Sequence, residues 1–200
     1  MKRNHFLKTW ISAFAFVLTG QSYAQKALIN KITFLQDDRS FAVEENSGTV
    51  FLERKPFKIR YFGQIYTPAK QKFYATQVAV LENKENTLPL GQSVEATSYF
   101  APGTGMAPGE NERYDTVYIT NSGHHYLLYE NEKEKRVDLV SKSKGGCEFE
   151  WNIAGAFYQD QDVPFSELPL SSLYFMIFTD QNLNGVIDHG ELKTINVVFQ

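Results

Sequence analysis

Twelve residues near the end of the chain, DQNLNGVIDHGE, place oxygen-bearing side chains at their first, third, fifth, ninth and twelfth positions: Asp180, Asn182, Asn184, Asp188 and Glu191. Carboxylate and amide oxygens are hard donors, and a loop that gathers several of them suits a hard divalent cation. Gly185 follows the third of these residues, where a chain curling about an ion must turn sharply, and glycine enters backbone regions that other residues avoid. The competing reading is a plain hairpin turn, because Asn-Gly at 184–185 is itself a hairpin signal. A plain turn, however, has no need of four further oxygen donors in register.

The loop resembles the calcium-binding loop of EF-hand proteins, whose pattern Asp-x-Asp/Asn-x-Asp/Asn-Gly, five residues and Glu is met by Asp180, Asn182, Asn184, Gly185 and Glu191. The resemblance covers these twelve residues only. It implies Ca2+ as the bound ion, with side-chain oxygens from Asp180, Asn182 and Asn184 and the backbone carbonyl of Val186. Asp188 would act directly or through water, and Glu191 would close the shell with both carboxylate oxygens. Ile187 takes the apolar eighth position that anchors such loops to a core. Leu183 departs from the pattern, standing at a fourth position where a large aliphatic residue is unusual.

The flanks depart further. LYFMIFT before the loop and LKTINVVFQ after it are aromatic and β-branched, and in the second Ile195, Val197 and Phe199 alternate with Thr194 and Asn196. Those flanks predict strands, not the two helices of an EF-hand. An EF-hand sensor works by swinging its helices apart. A loop between strands has none to swing, so bound calcium would brace the end of a sheet. Three carboxylates place the expected affinity at about 10⁻⁴ to 10⁻³ M, the weak extracellular range.

Other candidate groups carry less. His124 and His125 are adjacent, so on a strand they point to opposite faces and cannot easily share an ion. His189 lies in the loop at a position that does not coordinate. Cys147 opens an alternating apolar face and reads as a buried, inert thiol. Asp160 and Asp162 read as a solvated acidic loop, and Trp151, between Phe149 and Ile153, as core. Gly-x-Ser-x-Gly, His-Glu-x-x-His and Cys-x-x-Cys do not occur, so the commonest sequence-readable hydrolase and redox signatures are missing.

The elements that must position the loop follow from period-two patterning. Phe57, Ile59 and Tyr61 oppose Lys58 and Arg60; Cys147, Phe149, Trp151 and Ile153 oppose Glu148, Glu150 and Asn152; Val137 and Leu139 oppose Arg136 and Asp138. Each describes a strand with one buried and one wet face. Turn signals fall at Asn46-Ser47-Gly48, Leu90-Gly91, Asn121-Ser122-Gly123 and Lys144-Gly145-Gly146. Runs between breakers predict strands at 28–35, 49–54, 57–62, 73–81, 93–100, 115–120, 124–130, 135–140, 147–153, 173–179 and 192–199. No segment has a helical period over three turns. The segment 101–113, with Ala-Pro-Gly twice, reads as a surface loop. The expected fold is all-β, an antiparallel β-sandwich of Ig-like or jelly-roll-like type, with the calcium-type loop between the last two strands. An outer-membrane barrel is the alternative weighed against it.

The first 24 residues have a basic start, an apolar run from Trp10 to Leu18 and a small-x-small ending at Ser22-Tyr23-Ala24, the layout of a secretory signal peptide. A single domain over 25–200 is expected, exported to the periplasm or beyond. One cysteine excludes an intramolecular disulfide, and with no Asn-x-Ser/Thr sequon after residue 24 this points to a bacterial setting. Nothing later in the chain approaches the roughly 20 apolar residues of a membrane span. The formal net charge is −3 for the whole chain and more negative once the basic leader is removed, which argues against a nucleic-acid partner. The functional expectation is a calcium-braced binding or adhesion module with an extracellular protein or glycan partner. The alternative is an extracellular hydrolase acting on a polymer, with an active site assembled only in the fold.

Overall fold

The computed structural model describes residues 31–43, 45–64, 76–82, 88–97, 99–100, 107–108, 114–115, 127–129, 137–143, 146–159 and 161–200. The expected signal peptide, His124, His125, Asp160 and nearly all of the 101–113 loop lie outside them. The strands are β1 (Ile32–Gln36), β2 (Arg39–Val43), β3 (Ser47–Leu52), β4 (Phe57–Gln64), β5 (Gln77–Leu81), β6 (Ala107–Pro108), β7 (Tyr114–Asp115), β8 (Leu127–Tyr129), β9 (Val137–Ser143), β10 (Gly146–Ile153), β11 (Gly155–Tyr158), β12 (Gln161–Pro164), β13 (Ser172–Phe178) and β14 (Leu192–Phe199). Among the described residues the only helical element is a 3₁₀ turn, Val94–Ala96, and no helix is long and apolar enough to cross a membrane.

The protein is therefore all-β, as its patterning predicts. A five-stranded sheet runs in the order β2-β1-β4-β10-β9, a four-stranded sheet in the order β3-β14-β13-β5, and two smaller sheets hold β12-β11-β8 and β6-β7. Among the described residues the strand pairings are antiparallel with one exception: β14 runs parallel to β3, with Thr194 opposite Ser47 and Phe199 opposite Leu52. Parallel neighbours require a long crossover, and here residues 53–191 lie between them.

In β4 and β10 the alternation acts as expected. Phe57, Ile59, Tyr61, Phe149, Trp151 and Ile153 are buried, while Glu150 turns outward and takes Lys58 (Nζ to Oε2 3.0 Å) and Arg60 (Nε to Oε1 3.0 Å) from its neighbour strand. At the far end of this pair a Cβ on Gly146 would fall 2.3 Å from the Gly63 carbonyl oxygen, so the strands close there only on glycine.

The inward rows of the two large sheets meet in one buried cluster. Phe34 and Phe57 from the five-stranded sheet stand 5.8 and 6.3 Å from Phe175 of the four-stranded sheet, ring centre to ring centre, both edge-on. Phe165, in the turn after β12, closes the gap between Phe57 at 5.1 Å and Phe199 at 5.2 Å. Aromatic pairs at such distances add to the apolar burial that holds the layers together. Lys193 takes the first inward position of β14, at the opposite end from Phe199, where its ammonium donates to the Glu45 carbonyl at 2.8 Å.

The four-stranded sheet also buries part of its second face. Ala79, Leu81, Tyr174, Met176 and Phe178 point away from the main core and form a second cluster with Val94, Phe100 and Ile187. Phe100 stacks on Phe178 at 5.3 Å. The strand expected at 93–100 is accordingly absent from 93–97. That stretch is a 3₁₀ turn flanked by extended residues, and its apolar residues cap the sheet instead of joining it.

Three further expectations are corrected. Ser47 and Gly48, expected in a turn, lie in β3, because their backbone pairs with β14. Leu139, expected on a buried face, is 37% exposed: β9 is an edge strand, and an irregularity at Glu148/Phe149 shifts its register against β10. Asp162, expected in an acidic loop, sits on β12, in a hairpin where Tyr158 pairs with Gln161.

Candidate metal centre

Residues 180–191 join β13 to β14, two antiparallel neighbours whose last pair is Phe178 with Leu192. One further bond, Thr179 N–H to the Glu191 carbonyl at 3.0 Å, carries the ladder to the mouth of the loop. Both loop ends are thus fixed by the sheet.

Within the loop the five side chains singled out by spacing converge. Asp180 is 1% exposed, and its two oxygens accept the N–H of Asn184 (3.1 Å) and of Gly185 (2.7 Å). Glu191, 5% exposed, accepts Gln181 N–H at 2.7 Å and Asn182 N–H at 3.4 Å on one oxygen. Its other oxygen accepts Asp188 N–H at 3.0 Å. Asp188 Oδ2 receives the amide Nδ2 of both Asn182 (2.6 Å) and Asn184 (2.8 Å). Asn182 Oδ1 accepts Asn184 N–H, and Asn184 Oδ1 accepts Val186 N–H at 2.8 Å.

Val186 and Ile187 tie the loop outward. Val186 forms an isolated bridge with Ser93. Ile187 donates its N–H to the Gln92 carbonyl and accepts Gly91 N–H, both at 2.9 Å, and the Gly185 carbonyl accepts Val94 N–H at 2.9 Å. Ile187 is fully buried in the second cluster, the anchoring expected of it. Gly91 has φ of 83°, the left-handed region that glycine takes without strain. His189 is exposed, and Cys147 and Trp151 are buried.

The electrostatics are those of carboxylates enclosed close to one another. Burial pushes the Asp180 carboxyl above its ordinary range, and the charge of Asp188 pushes it the same way; backbone N–H groups of Leu183, Asn184 and Gly185 oppose the rise. Burial likewise raises Glu191, with the charge of Asp180 adding to it, against the N–H groups of Asp188, Gln181 and Asn182. A cation among these oxygens would offset both shifts, because a nearby positive charge favours the ionised carboxylates.

The donor set fits a hard cation in kind, with one rearrangement. Asn182 and Asn184 turn their N–H groups, not their oxygens, toward Asp188, so both amides would have to rotate to present oxygen to an ion. Among the described residues no three His, Cys, Asp or Glu side chains form a group able to hold a metal by themselves. The loop would depend on its amides and a carbonyl.

Three loop positions have positive φ: Gly185 (72°) and Gly190 (88°), where glycine takes it without strain, and Leu183 (62°), which puts a branched residue in a region that disfavours a Cβ. The irregular fourth position noticed in the sequence is a backbone irregularity as well.

A hydrolase would need a polar cleft. A groove of about 430 Å³ is lined by Asp37, Lys58, Asp138 and Asn152 among others. Asp37 lies 3.7 Å from the Lys55 ammonium, and Asp138 accepts the Asn152 amide at 3.1 Å. Both carboxylates have cationic or amide partners, and among the described residues no histidine lines the groove.

What sequence reasoning missed is the clasp formed by residues 91–94. Leu90-Gly91 signalled a turn, but nothing local announced that its backbone would pair with the loop. No protein-family model, curated protein or solved structure matches the chain.

Proposed function

We propose that this protein is an exported β-sandwich module, Ig-like or jelly-roll-like, in which residues 180–191 bind calcium as a structural brace. The module's task is binding or adhesion toward an extracellular protein or glycan. The observation that carries the reading is the pair of buried carboxylates, Asp180 and Glu191, facing Asp188 and two asparagine amides in a loop whose ends are fixed by neighbouring strands.

Asp180, Asn182, Asn184, Asp188 and Glu191 would supply side-chain oxygens and Val186 its carbonyl. The ion supplies positive charge, and the rest is the chain's own work. Fixed ends keep the loop closed, Ile187 roots it in the second cluster, and the backbone N–H groups that now satisfy Asp180 and Glu191 hold their side chains inward. Strands on both sides make the role structural, since no helix pair is present there to transmit a change of angle. The leader-like residues 1–24 support export, and a calcium-rich exterior suits a weak site.

Calorimetric titration of residues 25–200 with calcium and then magnesium tests the reading. One calcium per chain with Kd of about 10⁻⁴ to 10⁻³ M, and weaker uptake of the smaller, geometrically stricter magnesium, is expected. No uptake of either ion would remove the brace and leave an acidic hairpin loop.

A further inference from the structure

Asn184 and Gly185 form the one Asn-Gly pair in the chain. Asparagine is a thermolabile residue, and a following glycine removes the Cβ that would obstruct ring closure. In that reaction solvent hydroxide takes the proton from the Gly185 amide nitrogen, which attacks Asn184 Cγ. A C–N bond closes a five-membered imide, and ammonia leaves. Water then adds to one of the two imide carbonyls and opens the ring, giving aspartate or isoaspartate.

In the closed loop both reacting groups are engaged elsewhere. Asn184 Oδ1 accepts Val186 N–H at 2.8 Å, and its Nδ2 donates to Asp188 Oδ2 at 2.8 Å. Gly185 N–H donates at 2.7 Å to Asp180 Oδ2. The Asp180 carboxylate is 1% exposed, and a nitrogen anion beside it would face a buried like charge. The Gly185 carbonyl is held by Val94 N–H at 2.9 Å. Asn184 itself is exposed, so solvent reaches the side chain, and its protection comes from the hydrogen bonds.

We propose that Asn184 is a deamidation site gated by the loop: closed, its hydrogen bonds block the reaction, and each opening releases Asn184 and Gly185 to it. The product alters the loop in two ways. Aspartate puts a carboxylate where an amide now donates to Asp188, adding repulsion between like charges. Isoaspartate lengthens the backbone between residues 184 and 185 by one carbon and moves Gly185 N–H off Asp180. The inference rests on the hydrogen bonds alone and holds whether or not calcium binds.

The test incubates the full chain at mildly alkaline pH in chelator, folded and in urea, and follows residue 184 by peptide mass and isoaspartate-specific methylation. Conversion is expected to be at least about tenfold slower in the folded chain, the equivalent of one or two lost hydrogen bonds. Asp188→Ala, which removes the acceptor of the Asn184 amide, should raise the folded rate toward the urea rate while circular dichroism remains that of a folded chain. Equal rates in folded and unfolded chain, or no conversion at residue 184 in urea, would overturn the proposal. If Asp188→Ala does not fold, the folded-to-urea ratio of the unaltered chain still decides.

Discussion

The two large sheets are built on different terms. The five-stranded sheet has a dry face and a wet one: Phe57, Ile59, Phe149 and Trp151 point in, while Lys58, Arg60 and Glu150 pair outside. The four-stranded sheet is dry on both faces along β5 and β13, where every residue from Leu173 to Phe178 is buried. A sheet facing water needs nothing beyond its outward polar row. A sheet with Met176 and Phe178 on its second face needs a cover, and Leu88, Val94, Tyr99 and Phe100 with Ile187 provide it. The loop at 180–191 is therefore part of that cover as well as a connection between strands. Whatever holds the loop in place also holds Ile187 in that cover.

The contrast is sharpest at Phe178, fully buried on the second face. Phe178→Ala should cost about 3–5 kcal/mol in urea unfolding; a loss no larger than that of a surface change would mean that the second cluster is not a core. Ile187→Ala comes next, at about 2–5 kcal/mol, with faster hydrogen exchange at the amides of Gly91, Val94 and Ile187. An effect within about 0.5 kcal/mol would reduce the loop to a passive connector.

A smaller effect, but one with a definite sign, comes from acidity. Asp180 and Glu191 have raised pKa values in the folded, metal-free chain, so folding binds protons there. Their contribution is full below the ordinary carboxylate range and is lost as pH rises through the raised values. In chelator, stability should therefore fall across that interval as pH is raised, and a loop left unchanged by pH would contradict enclosed acids. Leu183→Gly should stabilise by about 0.5–1 kcal/mol, the relief at φ of 62° exceeding the added freedom of the unfolded chain. Smallest of all, Lys58→Ala on the wet face should cost less than about 1 kcal/mol, because its partner Glu150 keeps Arg60.

This contrast also decided what was legible in the sequence. Strands β4, β10 and β14 were readable because one wet face imposes alternation. Along β5 and β13 both faces are apolar, so a strand could be expected but its second burial could not. Residues 93–100 were misread because Val94, Tyr99 and Phe100 are apolar for the sake of another element. The hairpins β1–β2 and β11–β12 were missed for a local reason. Their turns place Asp37 (φ 52°) and Gln159 (φ 50°) in the left-handed region, where the sequence offers no glycine to announce it. In the loop, spacing alone brought together Asp180, Asn182, Asn184, Asp188 and Glu191. It could not show that the two amides face Asp188 with their N–H groups, or that residues 91–94 would hold Val186 and Ile187.

The central claim, that calcium braces this loop and through it the cover of the four-stranded sheet, is tested most directly by melting. Residues 25–200 would be heated with excess calcium and with chelator, beside Asp180→Ala. At about 100 times its Kd the ion should add roughly 2.7 kcal/mol, on the order of 5 to 10 °C for a domain of this size, and the shift should vanish in the variant. Identical melting with and without calcium, together with no calcium uptake by calorimetry, would contradict it.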